Sequence, residues 1–245
     1  MAKQRHLSKA PITEALLDFR ATLPPETRRI EHLAELGEKY KDQYPEKKDI
    51  HEFAYKVEFG TPHKDEKSSK HLGFRYANPD NTQVIQATLG GLTFSRLPPY
   101  QEWSNLRDEA KRVWKCYAEH GRPENITRLA VRYINKLSLP GPHADFDDYL
   151  NYTPAVPKAL PQTLGGFFSR IVVPDSKGEC TAIITQQFQP GEKPSEIAVI
   201  LDIDAFREKV FTDEREIWET FEVLRNFKNL IFFDSITEKC AKLLL

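Results

Sequence analysis

Apolar and polar residues alternate along most of this chain, and the period switches from two to about 3.6 at a few punctuated points. From Ile12 to Leu23 the alternation puts Ala15, Leu17 and Phe19 on one face and Ile12, Glu14, Leu16, Asp18 and Arg20 on the other. This predicts a strand, closed by Pro24-Pro25. Glu26 to Tyr44 then repeats apolar residues at helical spacing (Ile30, Leu33, Ala34, Leu36, Tyr40), and Pro45 ends the helix. His51 to Phe59 alternates again and predicts a strand with an aromatic face. The charged stretch Thr61 to Lys70 is expected to be a mobile loop.

Three short alternating runs follow, His71 to Ala77, Gln83 to Leu89 and Leu92 to Leu97, separated by Asn78-Pro79-Asp80-Asn81 and Gly90-Gly91. They predict an antiparallel meander, with Gly90-Gly91 as a two-residue hairpin turn. Pro98-Pro99 turns the chain into a long helix, Tyr100 to His120, whose buried stripe is Trp103, Leu106, Ala110, Val113, Trp114 and Tyr117. Two tryptophans on such a stripe are expected in the core rather than on a ligand platform. Ile126 to Leu139 is the longest predicted strand. It carries Asn135 on its apolar face and Arg128 and Arg132 on the other, and that Asn is expected to hydrogen-bond a neighbouring backbone.

The bridge from 140 to 166 is rich in proline, with a short helix near Phe146 to Leu150. A second meander follows, over Phe167 to Pro174, Cys180 to Gln189 and Glu196 to Ile203. Asp204 is expected to cap a short helix, Thr212-Asp213-Glu214-Arg215 to open a long one through Trp218 and Leu224, and Ser235 to cap a last one. The order is α+β with mostly antiparallel sheet and two or three long amphipathic helices on one face. Residues 1–139 and 167–245 read as two halves sharing a core, each a meander followed by a Trp-bearing helix, joined by the bridge 140–166.

Hydrophobic residues make up 40% of the 245 and charged residues 29%, as in ordinary globular domains. A formal charge of −1 argues against bulk attraction to nucleic acid or anionic membrane. No apolar run reaches the roughly 20 residues of a membrane span, and no secretion signal follows the basic start, so a cytoplasmic location is expected. Cys116, Cys180 and Cys240 lack the spacing of a disulfide framework or zinc site and read as buried thiols.

No phosphate loop and no Gly-x-Ser-x-Gly elbow is present, and His6, His32, His51, His63, His71, His120 and His143 show no zinc spacing. No catalytic residue, metal or cofactor is therefore assigned. Asp202 and Asp204 at a predicted strand end, or Asp145, Asp147 and Asp148 in a loop, could attract a cation; solvated carboxylates and a helix cap are the preferred reading. The best constellation is cross-strand. Glu14, Asp18, Arg20, Arg96, Arg128 and Arg132, with Asn135, would form a charged network if their strands pair, either structural or anion-binding.

The blocks Pro11-Ile12-x-Glu14-Ala15-Leu16-x-Asp18, Gly73-Phe74-Arg75-Tyr76, Phe94-Ser95-Arg96-Leu97-x-x-Tyr100-x-x-Trp103 and Ile126-Thr127-Arg128-x-Ala130-x-Arg132-Tyr133-Ile134-Asn135 occur in order, followed by Asp148-Tyr149-Leu150 and Ile236-Thr237-Glu238. In these the chain resembles a sporadically distributed prokaryotic family of about 250 residues without an assigned function. The resemblance implies a stand-alone cytoplasmic protein of patchy distribution, of the kind found among mobile or defence genes; no catalytic residue comes with it. The expected function is binding to a protein partner, as an accessory or antitoxin-like component. The alternative is an enzyme or sensor for a small anionic ligand such as a nucleotide, held by the arginine and carboxylate positions.

Overall fold

The computed structural model describes residues 1–55, 67–141, 145–162, 164–191, 193 and 195–245. The far end of the aromatic strand beyond Tyr55, most of the charged loop with His63, and His143 lie outside them.

The described strands form one nine-stranded sheet, β1 (Ile12–Thr22), β2 (Glu46–Tyr55), β3 (Lys67–Ala77), β4 (Gln83–Thr88), β5 (Gly91–Arg96), β6 (Asn125–Pro140), β7 (Phe168–Pro174), β8 (Thr181–Pro190) and β9 (Glu196–Phe211). Its order is β2-β3-β4-β5-β1-β6-β9-β8-β7, and every pairing is antiparallel. The long helices are α1 (Ile30–Tyr40), α2 (Trp103–Gly121) and α3 (Glu214–Ser235), with a short α4 (Glu238–Leu243) after them. The α+β class read from the sequence is therefore the class of the fold.

Period-two patterning sets the layers. One row across the sheet, Tyr76–Ile85–Phe94–Leu17–Val131–Ala205–Ala182, is buried throughout. The helices cover this face: Trp114 of α2 stacks on Phe19 at 4.3 Å, Phe221 of α3 meets the same ring at 4.9 Å, and the Tyr76 hydroxyl donates to the Leu33 carbonyl of α1. The next row, Val84–Ser95–Leu16–Arg132–Asp204–Ile183–Val172, alternates in character and points away from the helices. β1 and β6 each pair with the last strand of a meander, β5 and β9, and a helix follows each meander. The β6–β9 pairing and one continuous core join residues 1–139 to residues 167–245.

Several local expectations need correction. The short helix after Ile203 does not form, because β9 runs on to Phe211 and Asp204 sits mid-strand, paired with Arg132 and Ile183. Residues 67–70, placed in the mobile loop, belong to β3. Ser235 does not cap the last helix; its hydroxyl closes α3 by donating to the Ile231 carbonyl, and Thr237 caps α4. The tight turn is Leu89-Gly90. Gly91 already lies in β5 at φ 144°, where a Cβ would stand 1.9 Å from the Phe19 carbonyl oxygen, so glycine there is imposed by strand approach. The three cysteines are free and buried, as read from their spacing. Among the described residues no helix is long and apolar enough to cross a membrane.

Candidate functional site

The structure divides the cross-strand constellation between the two faces of the sheet. Glu14, Asp18, Arg20, Arg128 and Arg132 share the face away from the helices. Arg96 pairs with Ala15 and Asn135 sits beside Leu201, both on the helix side.

On the open face Arg128 and Arg132 are neutralised by aspartates from the flanking strands. Arg128, only 8% exposed, donates to Asp18 at 3.0 Å and to Asp204 at 2.8 Å, and lies 4.4 Å over the Phe206 ring. Thr93 adds a hydroxyl to Asp18 at 2.8 Å. Arg132 grips Asp202 through two bonds of 2.8 and 2.6 Å, which holds its guanidinium above its ordinary pKa. Burial pushes the Asp204 carboxyl up, against the opposing pull of Arg128 and Arg132. Arg20 lies directly opposite Arg128 and is exposed. The Asp202/Asp204 pair is thus occupied by guanidinium groups in mid-strand, away from any strand end. A half-buried ladder of this kind holds register, because a charge left without its partner costs several kcal/mol. The other acidic run is also engaged: Asp145 caps a 3-10 turn, Asp147 accepts from Thr153, and Asp148 pairs with Lys239 at 2.5 Å.

A separate feature lies on the helix side. A cleft of about 930 Å³ opens between the leader (Gln4 to Ile12), the corner from Pro98 to Trp103, Tyr133 and Asn135 of β6, and Arg225, Lys228, Asn229, Phe232 and Phe233 of α3. Each wall has a local cause. The cis Pro98-Pro99 bond turns the chain from β5 toward α2 and carries Tyr100 over the sheet. The polar leader is strapped down: the Ala2 amide donates to the carbonyls of Phe233 and Ile236, Arg5 pairs with Glu238 at 2.7 Å, and the Lys9 amide reaches the Leu244 carbonyl. Asn135 spends its amide hydrogens on the carbonyls of Tyr133 and Leu201, fixing β6 against β9 as its place on an apolar face required.

Inside the cleft the Tyr100 and Tyr133 hydroxyls meet at 2.7 Å, and burial holds the Tyr133 phenol well above its ordinary pKa. Lys228 is 7% exposed. Its ammonium lies 3.6 Å over the Tyr133 ring and donates to Asn229 at 2.5 Å, and no carboxylate pairs with it among the described residues. Burial, aided by the neighbouring Arg225 charge, lowers its pKa from 10.5 to about 7. Arg225 lies 5.5 Å over Trp103 and 3.7 Å from Glu222; that carboxylate is already shared with the Trp103 indole at 2.7 Å and with Arg107 at 3.0 Å.

Two cations, one of them deeply buried and short of a counter-charge, therefore face a cavity walled by aromatic rings. Such a site can accept an anion. Near neutral pH it also offers a partly neutral amine able to take up a proton. Of the charged and polar residues singled out from sequence as a candidate site, Glu14, Asp18, Arg20, Arg96, Arg128, Arg132 and Asn135, only Asn135 lines this cleft. Lys228 is not conspicuous in the sequence because it lies beyond Leu224, where Phe227, Leu230, Ile231, Phe232 and Phe233 make the segment mostly apolar. A charge at a helix position that periodicity assigns to the core was the available signal.

No protein-family model and no curated protein matches the chain.

Proposed function

We propose that this protein binds a small organic anion, carrying a phosphate or carboxylate, in the cleft between the leader, the proline corner and α3. The observation that carries the reading is the buried Lys228 ammonium without a carboxylate partner among the described residues. A buried charge left uncompensated is costly, and an anionic ligand would supply the missing partner. Arg225 would hold a second anionic oxygen, and the partly exposed Tyr100 on the cleft wall suits a ligand with a flat ring, as in a nucleotide.

Binding of this kind recharges the lysine. At pH 8 free Lys228 is mostly neutral and the bound form protonated, so complex formation should take up close to one proton. Calorimetry with inorganic phosphate, a nucleoside monophosphate and a simple carboxylate, in buffers of different ionisation enthalpy, reads that uptake directly. Uptake by wild type that vanishes in Lys228→Met supports the reading. Binding without proton uptake, or binding unchanged in Lys228→Met and Arg225→Gln, overturns it.

A second reading makes the chain a cytoplasmic interaction protein, in keeping with the family resemblance to patchily distributed prokaryotic proteins. It is favoured by the exposed Phe168 (65%) and Val172 (62%) on edge strand β7, on the face away from the helices. Under it, Phe168→Ser with Val172→Ser should release a stoichiometric partner that Lys228→Met retains in co-purification from the native host. A wild-type chain that purifies without a partner, or a partner kept by the double variant, counts against it.

A further inference from the structure

We propose that Asp49, His51 and His71, at the β2 edge of the sheet, bind a divalent transition-metal ion of the Zn²⁺ class. The two histidines stand twenty places apart in the sequence (71 − 51 = 20). They become direct cross-strand partners where β2 pairs with β3, beside a register shift at Ile50/His51. Asp49 precedes His51 by two and lies on the same side of its strand. One donor atom from each of the three residues lies within 4.8 Å of the others, and the two imidazoles stack at 4.9 Å.

Each ring has a polar neighbour that helps to orient it, as metal-binding histidines usually have. The Gly73 carbonyl, which can only accept, lies 2.9 Å from His71 Nε2, the nitrogen that also faces the Asp49 carboxylate at 3.8 Å, so the proton sits on Nε2 and the ring would turn to offer Nδ1 to the ion. The Ser69 hydroxyl lies 3.1 Å from His51 Nδ1, and His51 Nε2 faces the Asp49 carboxylate at 4.0 Å. Around Zn²⁺ these donors would close to about 3.3 Å apart, since tetrahedral Zn–N distances are about 2.0–2.1 Å. Asp49 and His51 are exposed and His71 is half-buried, so side-chain rotation can supply that movement. Two imidazoles and one carboxylate form a donor set suited to Zn²⁺, Co²⁺, Ni²⁺ or Fe²⁺ rather than to Mg²⁺ or Ca²⁺. Three protein donors also leave a position for water or a further ligand.

The alternative is a pair of weak surface contacts between histidine and aspartate, which contribute little. Titrating chelator-treated full-length protein with Zn²⁺ by calorimetry separates the two. One ion per chain is expected, bound at least tenfold more weakly by His51→Gln, His71→Gln and Asp49→Asn, while their metal-free melting temperatures match wild type. Affinity should fall on acidification, because protons compete with the ion for imidazole nitrogen. Co²⁺ should perturb the imidazole NMR signals of two histidines in the unmutated chain, a readout that needs no variant to fold. Absence of binding, or a wild-type site that survives all three substitutions, overturns the proposal, as does Co²⁺ perturbing histidines other than His51 and His71.

Discussion

Lys228→Met is expected to stabilise the ligand-free protein at pH 6 and to lose that advantage as the solution becomes alkaline. In the unfolded chain Lys228 titrates near 10.5 and in the folded chain near 7. Between those values the unfolded state carries a proton that the native state lacks, so wild-type stability rises with pH across the window. Below pH 7 both states are charged and the burial penalty is fully present. A depression from 10.5 to about 7 corresponds to on the order of 4–5 kcal/mol. Methionine removes the penalty but also the contact of the ammonium with the Tyr133 ring, worth roughly 1–2 kcal/mol. The net gain at pH 6 should therefore be about 2–4 kcal/mol, shrinking toward zero near pH 10. Urea unfolding of dialysed wild type and variant at pH 6, 8 and 10 measures it. A variant destabilised at pH 6 would mean that the lysine already has a counter-charge, and the anion reading would lose its basis.

This expectation connects the stability of the cleft to its use. A buried ammonium without a carboxylate partner is the sort of local violation that structural packing alone does not retain. Arg128, nearly as buried, is satisfied by Asp18 and Asp204, while Lys228 finds an aromatic ring and a neutral amide. The ladder on the open face and the cleft under the leader thus differ in kind. In the first, Arg128 and Arg132 are matched by aspartates; in the second, Lys228 has no carboxylate partner among the described residues.

The two sites also differ in how far they could be read from residues alone. Period-two patterning located nearly every strand and assigned Leu17 and Phe19 to one face with Asp18 and Arg20 on the other. That assignment is local and needs no knowledge of partners. Which strands pair is not local. Asp18 meets Arg128, and Arg132 meets Asp202, only because β1 and β9 flank β6, an arrangement fixed by long-range pairing. Asp204 resembles a helix cap in the sequence for a similar reason, since its mid-strand place and its bond to Arg128 depend on β6. The cleft was harder still. Its walls come from four separated segments, and the leader that closes one side has no periodicity and is held by backbone bonds to α3 and the C-terminal residues. His51 and His71 likewise look scattered until β2 and β3 are laid side by side.

Trp114→Ala should be among the most damaging single substitutions outside the cleft, costing roughly 3–5 kcal/mol, because it deletes a large side chain from the centre of the core. Trp114 is 4% exposed and lies face to face with Phe19, the rings 5° from parallel, with Tyr117 stacked at 5.4 Å. Phe19 also touches Trp218 and Phe221 of α3. One ring on β1 thus links the helix of the first half to the helix of the second. The cavity left by alanine would open where both halves meet, and neither could refill it by shifting alone. The loss should therefore appear as one cooperative transition moved down by roughly 6–20 °C, with no separate melting of residues 1–139 and 167–245. Calorimetry of the variant beside Val223→Ala, an exposed position on α3 expected to change stability by less than about 0.5 kcal/mol, tests both points. Two resolved transitions in Trp114→Ala would show that the halves hold separate cores, and that the Phe19 contacts couple them far less than their geometry implies.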